Sequence, residues 1–155
     1  MYLLRLCRMS GSPTMKFKYF KFPLAKKSTF FGTALFKPII PVAISHKGKE
    51  SRYAALVDSG ADFCIFDGEV GEQLGIDVRS GVLETFGGIQ EKGGAQAFLH
   101  KVTLQVGGWD YTTTVGFSYD IAKHGFGILG QKGFFDIFVV KFDLRKEVIE
   151  LKERS

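Results

Sequence analysis

Asp58 closes an apolar run, with Ala54, Ala55, Leu56 and Val57 before it and Ala61, Phe63, Cys64, Ile65 and Phe66 after it. A lone ionised carboxylate in such surroundings costs several kcal/mol, roughly, unless it is paired, hydrogen-bonded or protonated. Ser59 and Gly60 follow at once, offering a hydroxyl and a sterically open backbone whose donors favour the charged form while burial opposes it. Taken alone, Asp-Ser-Gly reads as a turn in which the carboxylate caps its own backbone. As chemistry it admits few options. Phosphoryl transfer from a strand-end Asp needs a second acid two residues on, where Gly60 stands, and a βαβ alternation that the chain lacks. Ser59 has no nucleophile-elbow pattern around it. His46, His100 and His124 are scattered without ligand spacing, so no metal site and no cofactor is expected.

The elements that must hold Asp58 are mostly strands. Residues 35–45, LFKPIIPVAIS, form an edge-like strand in which Pro38 and Pro41 exclude a central place. The polar turn HKGKE at 46–50 leads back through RYAALV, so 35–57 reads as a hairpin ending on Asp58. DGEVGEQLGI at 67–76 is a short helix stopping near Gly75. Residues 82–108 are two strands about a Gly-rich tip, with Val102, Leu104 and Val106 alternating against Thr103 and Gln105. WDYTTTVGF at 109–117 is the next strand, QKGFFDIF at 131–138 the best remaining helix candidate, and VVKFD and VIELK a final hairpin about LRKE. Many short strands and little helix give an all-β closed or sandwiched domain.

The chain of 155 residues is long enough for one domain with a real core, and 45% of it is hydrophobic. Its net charge of +5 is uneven: residues 1–52 hold 11 Lys and Arg against Glu50 alone, whereas 53–155 are net −5. Within the basic part, KFKYFKF at 16–22 alternates Lys with aromatics. That pattern fits a half-exposed strand or arm better than a single-strand nucleic-acid platform, since no nucleic-acid module follows it. Residues 1–34 are read as a basic arm or extra strand, with 1–14 outside the fold, non-native or disordered, and 35–155 as the main domain. Two cysteines, Cys7 and Cys64, are too few for a disulfide framework, and Cys64 reads as a small buried residue. No run approaches the roughly 18 apolar residues of a membrane span, and MYLLRLC is too short for a signal-peptide core, so a cytoplasmic location is expected.

Three features in fixed order carry a family likeness: Val57, Asp58, Ser59, Gly60, Ala61 and Asp62; the Gly-tipped hairpin over 86–95; and GFGILG at 125–130. Together they resemble the retropepsin-like (retroviral-type) aspartic proteases, over about residues 35–153. ILGQKGFFDIFVVKFD also resembles the corresponding part of pepsin-like lobes. The resemblance implies a retropepsin-like closed β-barrel with a flap hairpin and one or two short helices. It implies an aspartic endopeptidase in which Asp58 is catalytic, Ser59 braces the active-site loops and Gly60 supports the loop where backbone nears substrate. Ala61, Asp62, Gly87, Gly88, Ile89 and Ile128 then fall at substrate-binding positions, the three flap residues at its tip, and Leu129 and Gly130 in the run packed beneath the loop. One departure stands out: Gln131 occupies the place where retroviral members usually carry an Arg paired with the position of Asp62.

Peptide hydrolysis of this kind needs two carboxylates sharing a proton, since like charges that close cannot both ionise. Asp-Ser/Thr-Gly occurs once, so the second must come from another copy, and a two-fold homodimer acting on a peptide or protein substrate is expected. Two other readings remain beside it. One is a non-catalytic module keeping the fold for dimerisation or peptide binding. The other is attachment of the basic front segment to nucleic acid or an anionic surface.

Overall fold

A computed structural model describes residues 14–87, 94–121 and 125–155. In chain order the strands are β1 (Met15–Lys18), β2 (Phe20–Ser28), β3 (Gly32–Lys37), β4 (Ile39–His46), β5 (Lys49–Val57), β6 (Ile65–Asp67), β7 (Val82–Phe86), β8 (Ala95–Val106), β9 (Trp109–Ser118), β10 (Gly127–Leu129), β11 (Phe138–Asp143) and β12 (Val148–Glu153), with helix α1 (Gly68–Gln73) after β6.

Alternation sets the longest pairing. β8 buries Val102, Leu104 and Val106, and β9 buries Tyr111, Thr113, Val115 and Phe117. They join at Gly107 (φ 58°) and Gly108 (φ 84°), two successive positive-φ positions of the kind a tight hairpin turn needs. That turn fixes the register from Val106↔Trp109 to Phe98↔Phe117. Six strands then close a ring in the order β4, β5, β10, β6, β9, β8, returning to β4 through Ala43↔Gln105, Ile44↔Leu104 and Ser45↔Thr103. β7 lies outside the ring, paired with β8. The protein is therefore an all-β closed barrel, as the family likeness implies.

Several elements differ from expectation. β4 is not an edge over its whole length, because β8 covers it from Ala43 onward; Pro41 sits ahead of that pairing, opposite Ala54. Residues 35–37 leave the expected hairpin with β5 and pair instead with β2 as part of β3. The Lys–aromatic alternation of 16–22 is divided at Tyr19 between β1, which joins β12 and β11, and β2. Residues 131–137 form turns around one bridge, Phe63↔Lys132, and not a helix. Gly133 takes φ 99° and gives its amide to Asp136 Oδ1 at 3.0 Å, which interrupts a helical ladder at its start. α1 forms as read: Asp67 caps it by accepting Glu69 N–H at 2.9 Å, and Gly75 at φ 75° follows its end.

The three-stranded sheet β1-β12-β11 is joined to the ring by aromatic packing. Phe138 of β11 is fully buried between Tyr111 of β9 and Phe134, with ring centroids 4.8 and 5.0 Å away. Ile149 and Leu151 of β12 complete this part of the core. Truncating Phe138 to Ala removes the shared ring and leaves a cavity between the Tyr111 and Phe134 rings. Urea titration should show a loss of about 3–5 kcal/mol with an unchanged m-value.

Candidate active site

The site grows from one crossing of the chain. β10 enters between β5 and β6, parallel to the first (Gly127↔Ala55, Ile128↔Leu56, Leu129↔Val57) and antiparallel to the second at Ile128↔Ile65. The pairing continues one residue past β5, where Asp58 N–H donates to Leu129 O at 3.0 Å. On the other side Val57 N–H donates to the Pro38 carbonyl at 2.8 Å. The backbone of Asp58 is thus fixed by buried neighbours, since Val57 and Leu129 are 3% and 0% exposed.

The side chain of Asp58 emerges half-buried, at the rim of the apolar run and not within it. Its Oδ1 accepts Gly60 N–H at 2.9 Å, and its carbonyl accepts Ala61 N–H at 3.2 Å, so the segment begins as an Asx-type turn. Ser59, Gly60 and Asp62 are exposed, and Ala61 is half-buried. An apolar strand therefore delivers a carboxylate, a hydroxyl and a bare glycine to one open surface.

The loop is locked from below. Gln131 N–H donates to Ala61 O (2.8 Å), Lys132 N–H to Asp62 O (2.9 Å) and Cys64 N–H to Lys132 O (3.2 Å). Gly130 makes this approach possible: a Cβ there would collide with the Phe63 carbonyl and lie 2.8 Å from Ala61 O. Both are backbone atoms, so no side-chain adjustment relieves the clash. Gln131 stands where the family resemblance would put an Arg for Asp62, and it does something different. Its side-chain Nε2 donates to Ser59 O at 2.9 Å, bracing the loop backbone rather than Asp62. Gln131 thus supports the candidate loop, a role the sequence marks only as a departure.

Phe63 ties the loop to the β7–β8 hairpin, its ring meeting that of Phe86 edge-on at 6.0 Å. On the β8 side the hairpin is pinned at the tip-ward end of its pairing: Gln96, opposite Thr85, donates its N–H to Asp120 Oδ2 (2.9 Å), and Ser118 Oγ donates to Gln96 O (2.5 Å). The β7 side lies in the open, with Val82 and Leu83 67% and 50% exposed. Gly87, at φ 126°, continues from β7, whereas Gly88, Ile89 and the rest of the tip lie outside the described residues, as do Cys7 and His124. Ile128 is half-buried at the centre of β10. Residues that the sequence does not single out also shape this region. Gly116 allows Phe63 to lie close, a Cβ there falling 2.8 Å from the ring, and Gly127 does the same for Phe66 at 2.5 Å.

Cys64 is fully buried, and burial pushes its thiol up to about 12, so it is no nucleophile. A groove of about 580 Å³ opens elsewhere, lined by Phe17, Phe20, Ile39, Pro41, Tyr53 and neighbours, and none of residues 58–62 borders it. Among the described residues no three His, Cys, Asp or Glu side chains gather as metal ligands, and no helix is long and apolar enough to cross a membrane.

Against known proteins, no family model matches this chain, and no curated protein does. Solved structures do. A retropepsin-like aspartic protease from Rickettsia conorii aligns at TM-score 0.54 and 14% identity, over 94% of this chain and 97% of that one. The retroviral protease-like domain of Ddi1 from Leishmania major aligns at TM-score 0.52 and 18% identity, over 77% and 94% respectively. EIAV protease complexed with the inhibitor HBY-793 aligns at TM-score 0.43 and 20% identity, over 68% and 88%. The first two show that the fold is retropepsin-like.

Two outcomes test the local geometry. Gly130→Ala should destabilise the protein by about 3 kcal/mol or more, because the whole 58–63 loop must retreat from β10; thermal and urea melts measure it. Cys64 should react with iodoacetamide at pH 8 at least ~100-fold more slowly in the folded protein than in urea, as site-resolved mass spectrometry would show.

Proposed function

We propose that the protein is an aspartic endopeptidase whose catalytic pair is Asp58 from each of two copies related by a two-fold axis. The observation that carries this reading is the seat of Asp58. Its backbone is fixed by Leu129 O, its loop is braced by Gln131, and its carboxylate stands half-exposed in a retropepsin-like ring. A carboxylate that must meet its twin within hydrogen-bond reach needs this support, because small misplacement of reacting groups costs orders of magnitude in rate.

The chemistry follows from one shared proton. With the pair singly protonated, the ionised carboxylate removes a proton from a water lying between the two, as the water oxygen bonds to the scissile carbonyl carbon. The protonated partner gives its proton to the carbonyl oxygen, leaving a neutral gem-diol and no covalent link to the protein. Collapse then returns a proton through the pair to the amide nitrogen as the C–N bond breaks. Ser59 braces the two loops against each other, and Gly60 keeps the backbone low where substrate passes. Substrate enters extended, pairing by its main chain with Asp62, Ile128 and the hairpin tip that includes Gly87, Gly88 and Ile89. Glycines at that tip allow it to open and close.

One observation favours a second reading, a non-catalytic module with this fold. Asp58 Oδ1 already has a local partner in Gly60 N–H, as a turn-capping Asp would. Peptide-mixture digestion separates the two. Between roughly pH 4 and 7 the wild type should cut, and Asp58→Asn, nearly isosteric, should cut at least ~1,000-fold more slowly while keeping its fold. Equal cleavage by both would remove Asp58 from the mechanism, and no cleavage by folded wild type would support the module. Analytical ultracentrifugation should give a dimer mass at assay concentration; a strict monomer in the presence of bound peptide would sink the shared site.

A further inference from the structure

The β2–β3 hairpin plays no part in that mechanism. It forms a two-stranded sheet of its own, standing outside both the ring and the β1-β12-β11 sheet. Hairpins of two strands are marginal in water without a surface to lie on. Its tip is also unusual for a water-facing turn, because Phe30 and Phe31 are 85% and 58% exposed. Their exposure is not looseness of the turn. Ser28 Oγ accepts the N–H groups of both Phe30 (3.1 Å) and Phe31 (3.0 Å), and Gly32 closes the turn at φ 77°. The two rings stand edge to face, with centroids 4.8 Å apart. The chain thus builds and holds an apolar tip in solvent.

Charge accompanies it. The pairing slips so that residues 24–27 oppose Thr33 alone, and this bulge sets exposed Lys26 and Lys27 beside the tip. Lys21 and Lys37 are exposed further along the same hairpin, and no Asp or Glu occurs before Glu50. We propose that the hairpin is an interfacial anchor that docks the protein on an anionic lipid bilayer. Phe30 and Phe31 enter the headgroup–acyl boundary while Lys26, Lys27 and their neighbours meet anionic headgroups. Charge complementarity selects this occupant over a second copy of the same hairpin, which would set Lys26 and Lys27 against their own kind. A nucleic acid would need open ring faces to stack on, and the edge-to-face pair at a convex tip offers few.

The test is co-sedimentation of the full chain with vesicles of pure phosphatidylcholine and of phosphatidylcholine with roughly 30% phosphatidylserine, a charge at which polybasic segments bind. The wild type should partition to the anionic vesicles and not to the neutral ones, with binding that weakens as salt rises. Phe30→Ser/Phe31→Ser and Lys26→Glu/Lys27→Glu should each lower that partition at least ~10-fold with unchanged circular dichroism and melting. These variants should leave peptide cleavage in solution untouched, which separates failure of the anchor from failure of the protease reading. Phe31→Trp should shift its emission to the blue on the anionic vesicles against the Trp109 background. No binding by wild type, or equal binding by all variants, overturns the proposal. So does retention of a single-stranded oligonucleotide that these variants lose, or a change in oligomer mass in place of a change in vesicle binding.

Discussion

The hydrogen bond from Asp58 N–H to Leu129 O is the constraint from which the site follows. It exists because β10 is threaded between β5 and β6, so that a three-residue strand serves two neighbours of opposite direction. Gly130 is the condition for that threading, since anything larger would push the Phe63 and Ala61 carbonyls outward and release the loop. Buried backbone groups must be paired, and the loop finds its partners in Leu129, Gln131 and Lys132, all within the same short stretch that Gly130 brings close.

A consequence of this arrangement is an open surface of polar groups at the end of a buried strand. Asp58 is half-buried at the end of a buried strand, with exposed Ser59, Gly60 and Asp62 beside it. The backbone bonds below the loop hold these residues at the surface whatever their side chains do. Gln131 matters in this light. Its amide braces Ser59 O without a charge, so the loop is stiffened with no cation added beside it.

The hairpin above the loop divides into unlike halves. Its β8 limb is pinned through Gln96 to Asp120 and Ser118, and belongs to the ring. Its β7 limb pairs with β8 alone, and Phe86 at its end meets Phe63 of the loop edge-on. The two limbs therefore differ in what holds them: the ring and side-chain bonds on one side, pairing with β8 and the Phe86–Phe63 contact on the other.

Much of this was legible in the sequence, for a local reason. Period-2 alternation over 102–106, the aromatic and β-branched run at 109–117, and the short helix read from 67 to a stop near Gly75 each follow from residues a few positions apart. The order of Asp-Ser-Gly, Gly-rich tip and Ile-Leu-Gly carries the family resemblance that nominates the candidate site residues, and of these the structure sets Asp58 beside Leu129. What depended on distant partners was not legible. The closure of β4 on β8 and the departure of residues 35–37 to β2 were decided by strands elsewhere in the chain. The helix expected at 131–138 gave way to turns whose amides serve the 58–64 loop. The role of Gln131 belongs to the same group, since its partner Ser59 lies 72 residues away. Sequence determines what a residue prefers beside its immediate neighbours; only the tertiary structure decides which distant backbone group is left for it to meet.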